Sequence, residues 1–167
     1  IIATGLEHKK SIPLGNIERP NDLVLVGENQ FYLTNESKLK FKSPQDAFGM
    51  FFNTDKSGSI EYFDGTKFIN VANGLGFANS IAISKDGSKI YASATYGRNL
   101  KIFSKNANGS LNLLDAVYLG TGVDNLSVDS DGRIFIAAHP RLLTTARYML
   151  FGMGSPPSQI IVVEPSQ

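Results

Sequence analysis

The chain has 167 residues, enough for one hydrophobic core and too few for two ordinary domains, so it reads as one cooperative unit or part of a larger one. Its 16 Lys and Arg nearly balance 15 Asp and Glu, and the basic residues are scattered, which excludes nucleic acid and anionic membrane as main partners. The absence of cysteine excludes disulfides, thiolate catalysis and cysteine zinc sites, though not secretion.

The first residues, IIATGLEHKK, lack an initiator Met and the order of a signal peptide. The chain is therefore expected to be processed or a fragment, with a compartment that its start does not reveal. No apolar run is long enough to span a bilayer.

From residue 19 onward the pattern is all-β. RPNDLVLVGENQFYLT holds two period-two runs around a turn, and GSIEYFD followed by KFINVAN supplies two more. Between them residues 37–58 are polar and irregular and are expected to be an inserted loop. The next runs, SIAISKDGSKIYASA, NLKIFSK and LNLLDAVYL, repeat the four-strand order, with Asp86-Gly87 where a hairpin turn needs positive φ. LSVDSDGRIFIAA begins a third set around Asp131-Gly132, and SQIIVVE continues it. Residues 141–152, RLLTTARYMLFG, permit a helix; a buried strand or loop is the alternative there.

Alignment on the turns reveals a repeat. Asn21, Asn79 and Asp124 each lie seven residues before Glu28, Asp86 and Asp131. Leu23, Ile81 and Leu126, then Leu25, Ile83 and Val128, follow in one register and are expected to face one way. The intervals, 21 to 79 and 79 to 124, approach the roughly 40 to 50 residues of a four-stranded propeller blade once a loop insertion is allowed. The expectation is a single domain segment over residues 1–167, about three blades of a six-bladed β-propeller.

Inner strands of a propeller start at one face around the axis, so Asn21, Asn79 and Asp124 would form a ring there. Their neighbours Asp22, Ser80 and Asn125 point elsewhere or bend back. Such a ring offers only hard oxygen donors, which suits calcium and not zinc or copper. For any one pair an Asx-turn is the better explanation; the threefold repetition favours a metal site.

The ordered motifs RPNDLVLVGENQFYLTNE, GFANSIAISKDGSKIYASA, KIFSKNANGSLNLL and GVDNLSVDSDGRIFIAAHP, with PPSQIIVV near the end, resemble the calcium-dependent paraoxonase/arylesterase family of six-bladed propeller lactonases from about residue 10 to 165. The resemblance implies a catalytic calcium on Asn21, Asn79, Asp124 and Asn125 together with an upstream Glu, and a second, structural calcium on Asp22. It also matches His139, before Pro140, to a histidine near the active-site wall, a strand-end histidine being the alternative.

Departures accompany it. The family's first-blade Glu and its histidine pair lie upstream of this sequence, His8 is outside their motif and is expected to face solvent, and the family's disulfide cannot form. Ser80 replaces the glycine usual after the third ligand. Asn-x-Ser sequons occur at Asn35, Asn108 and Asn125. Asn108, on a hairpin tip, is the expected glycan acceptor, and Asn125 is expected to be buried.

The reading is hydrolysis of small-molecule lactones and aryl esters, with a calcium-polarised carbonyl attacked by activated water and an extracellular or secretory location implied by the family. The alternative is a non-catalytic propeller segment with structural calcium, or an inactive truncated form.

Overall fold

A computed structural model describes residue 5, residues 7–38 and residues 56–164. Strands β1 (Pro20–Leu25), β2 (Phe31–Asn35), β3 (Gly58–Phe63) and β4 (Phe68–Leu75) form an antiparallel sheet in chain order. A second four-stranded sheet repeats this order with β5 (Ala78–Ile83), β6 (Lys89–Ala94), β7 (Asn99–Lys105) and β8 (Leu111–Tyr118). The third holds β9 (Gly122–Val128), β10 (Ile134–His139) and β11 (Gln159–Val163).

The expected blade pattern is therefore present in all three sets. Most of the expected insertion, residues 39–55, lies outside the described residues. The segment left open as helix or strand is helix α1 (Leu142–Phe151), ended by Gly152 in the left-handed region.

Hairpin chemistry follows the sequence closely. Gly87 and Gly132 have φ of 73° and 84°, a region closed to most side chains, and their N–H groups return to Ser84 and Asp129 at 2.9 and 3.1 Å. Each glycine lets its strand pair re-form without a gap.

The core lies between the sheets. Tyr32, Ile60, Ile81, Ile90 and Phe103 fill the layer between the first and second, while Tyr91, Leu100, Val123, Ile134 and Ile136 fill the layer between the second and third. Full burial of an aliphatic side chain contributes about 1.5–3 kcal/mol, so these layers hold neighbouring sheets face to face. Tyr32 adds a specific tie, donating its hydroxyl to the Gly109 carbonyl in the β7–β8 turn at 2.9 Å; burial pushes that phenol up to about 12.

Equal register does not mean equal burial. Ile81 packs in the first layer and Leu126 in the second, but Leu23, at the same register of β1, is 50% exposed. No strand precedes β1 among the described residues to cover that flank.

Candidate active site

The same irregularity interrupts all three inner strands. Pairing steps from Pro20↔Asn35 to Leu23↔Leu33 in the first sheet, from Ala78↔Ala94 to Ile81↔Ala92 in the second, and from Val123↔Ala138 to Leu126↔Ile136 in the third. Each inner strand thus spends two residues where its neighbour spends one. These are β-bulges, which bend a strand and re-aim its side chains.

The doubled residues are Asn21-Asp22 opposite Thr34, Asn79-Ser80 opposite Ser93, and Asp124-Asn125 opposite Ala137. The register that the sequence repeats is the register of the bulges. An Asx-turn at Asn21-Asp22 is not what the chain forms.

A bulge leaves backbone groups without ladder partners, and hydroxyls on the second strands meet that need. Thr34 Oγ1 accepts the Asp22 N–H at 3.0 Å, and its own hydrogen faces the carbonyls of Asp22 at 3.1 Å and Asn79 at 2.5 Å. Ser93 Oγ accepts the Ser80 N–H at 2.8 Å. Both hydroxyl residues are fully buried.

The bulges bring some of the expected residues together and leave others apart. Asn79, Asp124 and His139 line one cavity of about 340 Å³, with Phe77, Thr95 and Tyr96 on the same wall. That volume is within the roughly 300–1,000 Å³ of small-molecule sites. Helix α1 covers it through Leu142, Thr145, Ala146, Tyr148 and Met149.

The helix can approach because residue 122 carries no side chain. A Cβ on Gly122 would come within 2.2 Å of Leu142 Cδ2.

Asn21 is exposed and does not line this cavity; its Nδ2 donates to Glu36 Oε1 at 2.5 Å, and Glu36 Oε2 pairs with Arg19 Nη2 at 2.8 Å. Its amide nitrogen is thus the occupied end and its oxygen the other. Asp22 turns toward the second sheet, where Ser80 Oγ and the Ile81 N–H donate to it.

Asn125 is exposed, contrary to the expected burial. It is the second residue of the third bulge, and no fourth sheet lies beside it among the described residues. Asn108 is exposed at its turn, where its Oδ1 accepts from Ser110 N and Oγ at 3.1 and 2.7 Å. Asn35 is buried, accepting the Arg19 N–H at 3.1 Å. His8 faces solvent beside Ser11, as expected.

The polar atoms of the cavity residues are incompletely partnered. Asn79 Oδ1, Thr95 Oγ1 and His139 Nδ1 are buried without a hydrogen-bond partner, whereas His139 Nε2 is 2.9 Å from Asp124 Oδ2. An unpaired buried polar atom costs about 1–3 kcal/mol, which a ligand or ion at that position removes. An amide oxygen lacking a donor beside a carboxylate is also the donor set of a hard cation. Asn79 and Asp124 therefore fit calcium; Asn21 holds the equivalent position on the first bulge and Asn125 follows Asp124 on the third, both exposed and outside this cavity lining.

Chain connectivity alone did not single out four neighbours. Phe77 has φ of 60°, a conformation unusual for a bulky side chain and often retained at functional sites; its ring packs 4.9 Å from that of Tyr96. Burial pushes the Tyr96 phenol up to about 12, with the Glu36 charge acting in the same direction and Arg19 against it. Glu36 and Thr95 complete the set. Glu36 and Thr95 hold one place in successive blades, their N–H groups returning to the Arg19 and Phe77 carbonyls, and His139 holds the same place in the third; the residue type changes each time, so a register read from recurring Asn and Asp could not reveal them.

A sequence model of the arylesterase family matches residues 3–167. The chain belongs to the arylesterase family. It is 30% identical to serum paraoxonase/arylesterase 1 of Rattus norvegicus over 159 residues, which are 94% of this chain and 43% of that protein. It is 28% identical to serum paraoxonase/lactonase 3 of the same species over 158 residues, again 94% and 43%. The chain thus spans less than half the length of these curated relatives.

Among solved structures, the calcium-binding protein regucalcin of Agrobacterium tumefaciens superposes with a TM-score of 0.53 at 19% identity, over 72% of this chain and 38% of that one. That likeness establishes the fold: the three sheets are blades of a β-propeller.

Proposed function

We propose that the protein carrying this chain hydrolyses small lactones and aryl esters with the help of calcium held by Asn21, Asn79, Asp124 and Asn125. The observation that carries the reading is the pair of bulges in the second and third sheets, which sets an unpartnered amide oxygen and a carboxylate on one cavity beside the His139 imidazole. The names of the family relatives support the substrate class.

What a bound calcium supplies is polarisation of the scissile carbonyl and a counter-charge for its oxygen, worth several kcal/mol of barrier. The side chains do the rest. Asn79 and Asp124 would hold the ion, and the Asp124–His139 contact orients the imidazole. With Nε2 given to Asp124, Nδ1 is the nitrogen left to take a proton from water. Phe77, Tyr96 and the α1 residues Tyr148 and Met149 would contact the organic part of the substrate.

We further propose a secretory location, with Asn108, exposed on its turn within an Asn-x-Ser sequon, as glycan acceptor. Loss of a glycosidase-sensitive mass shift in Asn108→Gln checks this second point.

The test of the main reading is thermal unfolding and lactone turnover of the full-length protein, each with calcium and with chelator. A ligand that binds only the native state must raise the midpoint. Equal midpoints in the two conditions, or turnover indifferent to chelator, would sink the proposal.

A further inference from the structure

Asp22 was expected, from the family resemblance, to ligate a second calcium. Its surroundings carry different chemistry. Oδ1 accepts the Leu23 N–H at 2.8 Å, while Oδ2 accepts the Ser80 hydroxyl at 2.5 Å and the Ile81 N–H at 3.1 Å. Three of the carboxylate's roughly four acceptor directions are taken, both of those on Oδ2 among them, and an N–H group cannot become a ligand. Among the described residues, no group of three or more His, Asp or Glu side chains is gathered around it.

These bonds cross between blades. Asp22 belongs to β1 of the first sheet, whereas Ser80 and Ile81 belong to β5 of the second. Thr34 closes the same junction from β2, because its one buried hydroxyl touches the backbone of both Asp22 and Asn79. Ser80 is itself buried, with its N–H fixed by Ser93. The two bulges are therefore joined at three points, and the residue before Ser80 is Asn79.

The third sheet has no counterpart of this junction. Its bulge faces Ala137 instead of a hydroxyl residue, and Ser80, at the register of Asp22, has too short a side chain to reach across as a carboxylate does. The first junction is a specific device and not a property of every blade pair.

We propose that Asp22, Ser80 and Thr34 form a metal-free clamp between the first two blades, and that Asp22 is a positioning residue for Asn79 instead of a calcium ligand. The positional part rests on the reading of Asn79 as a site residue; the clamp itself does not. Ser80 supplies a hydroxyl where a glycine would supply none, so this chain replaces a metal's role with one donor.

The experiment uses the full-length protein in excess chelator, where no calcium contributes. Asp22→Ala, Ser80→Ala and the double variant form a thermodynamic cycle, read as thermal midpoints. Each single change is expected to lower the midpoint by a few degrees, and the double variant by no more than the larger single. Calcium stoichiometry, measured by titration calorimetry, is expected to be unchanged in Asp22→Asn and Ser80→Ala. Asp22→Asn keeps an acceptor and guards against a variant that fails to fold.

Additive midpoint losses in chelator, or one calcium fewer per molecule in Asp22→Asn, would overturn the clamp. Wild-type turnover is a separate readout. A wild type without lactonase activity but with a coupled Asp22–Ser80 cycle rejects the proposed function and leaves the clamp standing.

Discussion

His139 Nε2 meets Asp124 Oδ2 at 2.9 Å across the last inner hairpin, and the contact exists because the third bulge turns Asp124 toward the end of β10. A histidine at a strand end has thereby become the partner of a proposed calcium ligand. Asp124→Ala is expected to remove the calcium-induced rise in thermal midpoint, since it deletes the charge that offsets the cation. His139→Ala should leave that rise in place and lower kcat by about 10²–10⁴-fold, the usual contribution of a positioned acid or base. A change confined to KM would return His139 to the role of pocket wall.

Two buried polar atoms provide a test that separates site from scaffold. Thr95 Oγ1 has no partner, so Thr95→Val removes an unsatisfied hydroxyl and should leave the thermal midpoint in chelator unchanged or raised, while altering lactone turnover. Asn79→Ala removes an unpartnered oxygen in the same way, although the small void it leaves adds some cost. Its expected signature is loss of the calcium response with only a modest loss of stability. If either variant unfolds as readily without calcium as a core truncation would, the atom has a structural partner.

Much of this was legible in the sequence, for identifiable reasons. Alternating apolar residues and the Asp86-Gly87 and Asp131-Gly132 turns fixed the strands, because period two and positive φ are local demands. The recurrence of Asn21, Asn79 and Asp124 at one distance from the turn marked the inner strands, and the bulges explain why the recurrence comes as doublets. What could not be read was where each side chain ends up. Asn21 and Asn79 occupy the same register, yet Asn21 is exposed and bonded to Glu36, whereas Asn79 is buried between two sheets. Burial of that kind depends on neighbouring blades, which no periodicity within a strand encodes. The strained backbone of Phe77 was equally silent, because positive φ is announced by Gly or Asn and not by Phe.

The hairpin turns impose an acid limit. Asp64 is lowered to about 2 by the Thr66 hydroxyl and by the Lys67 and Thr66 N–H groups, and Asp86 to about 2 by the Ser84 hydroxyl followed by Ser88. A folded-state value below the unfolded one, which is about 3.9, means that the charged form favours folding. This stabilisation is complete above the unfolded value and disappears as pH falls through about 2. The Asp64→Asn, Asp86→Asn double variant should therefore show a flatter dependence of thermal midpoint on pH between about 5 and 2 than the wild type. Parallel curves for the two proteins would mean that other carboxylates set the acid limit.

The last prediction concerns the two apolar flanks. On β1, Leu23 and Leu25 are 50% and 66% exposed, and on β11, Ile160 and Val162 are 66% and 46% exposed. These residues lie on strands at opposite ends of the three-blade row, and β11 pairs only with β10 among the described residues. An exposed strand edge beside uncovered aliphatic side chains favours pairing with another chain. Residues 1–167 produced alone are accordingly expected to self-associate and to lack lactonase activity, since three blades do not close a propeller. Leu25→Lys and Ile160→Lys together should shift the population toward monomer by placing charge on both flanks, with little effect on folding because neither side chain is packed. Sedimentation velocity distinguishes the outcomes. A monodisperse monomer of the unsubstituted chain, turning over a lactone in a chelator-sensitive way, would show that the three blades fold and act without covered flanks.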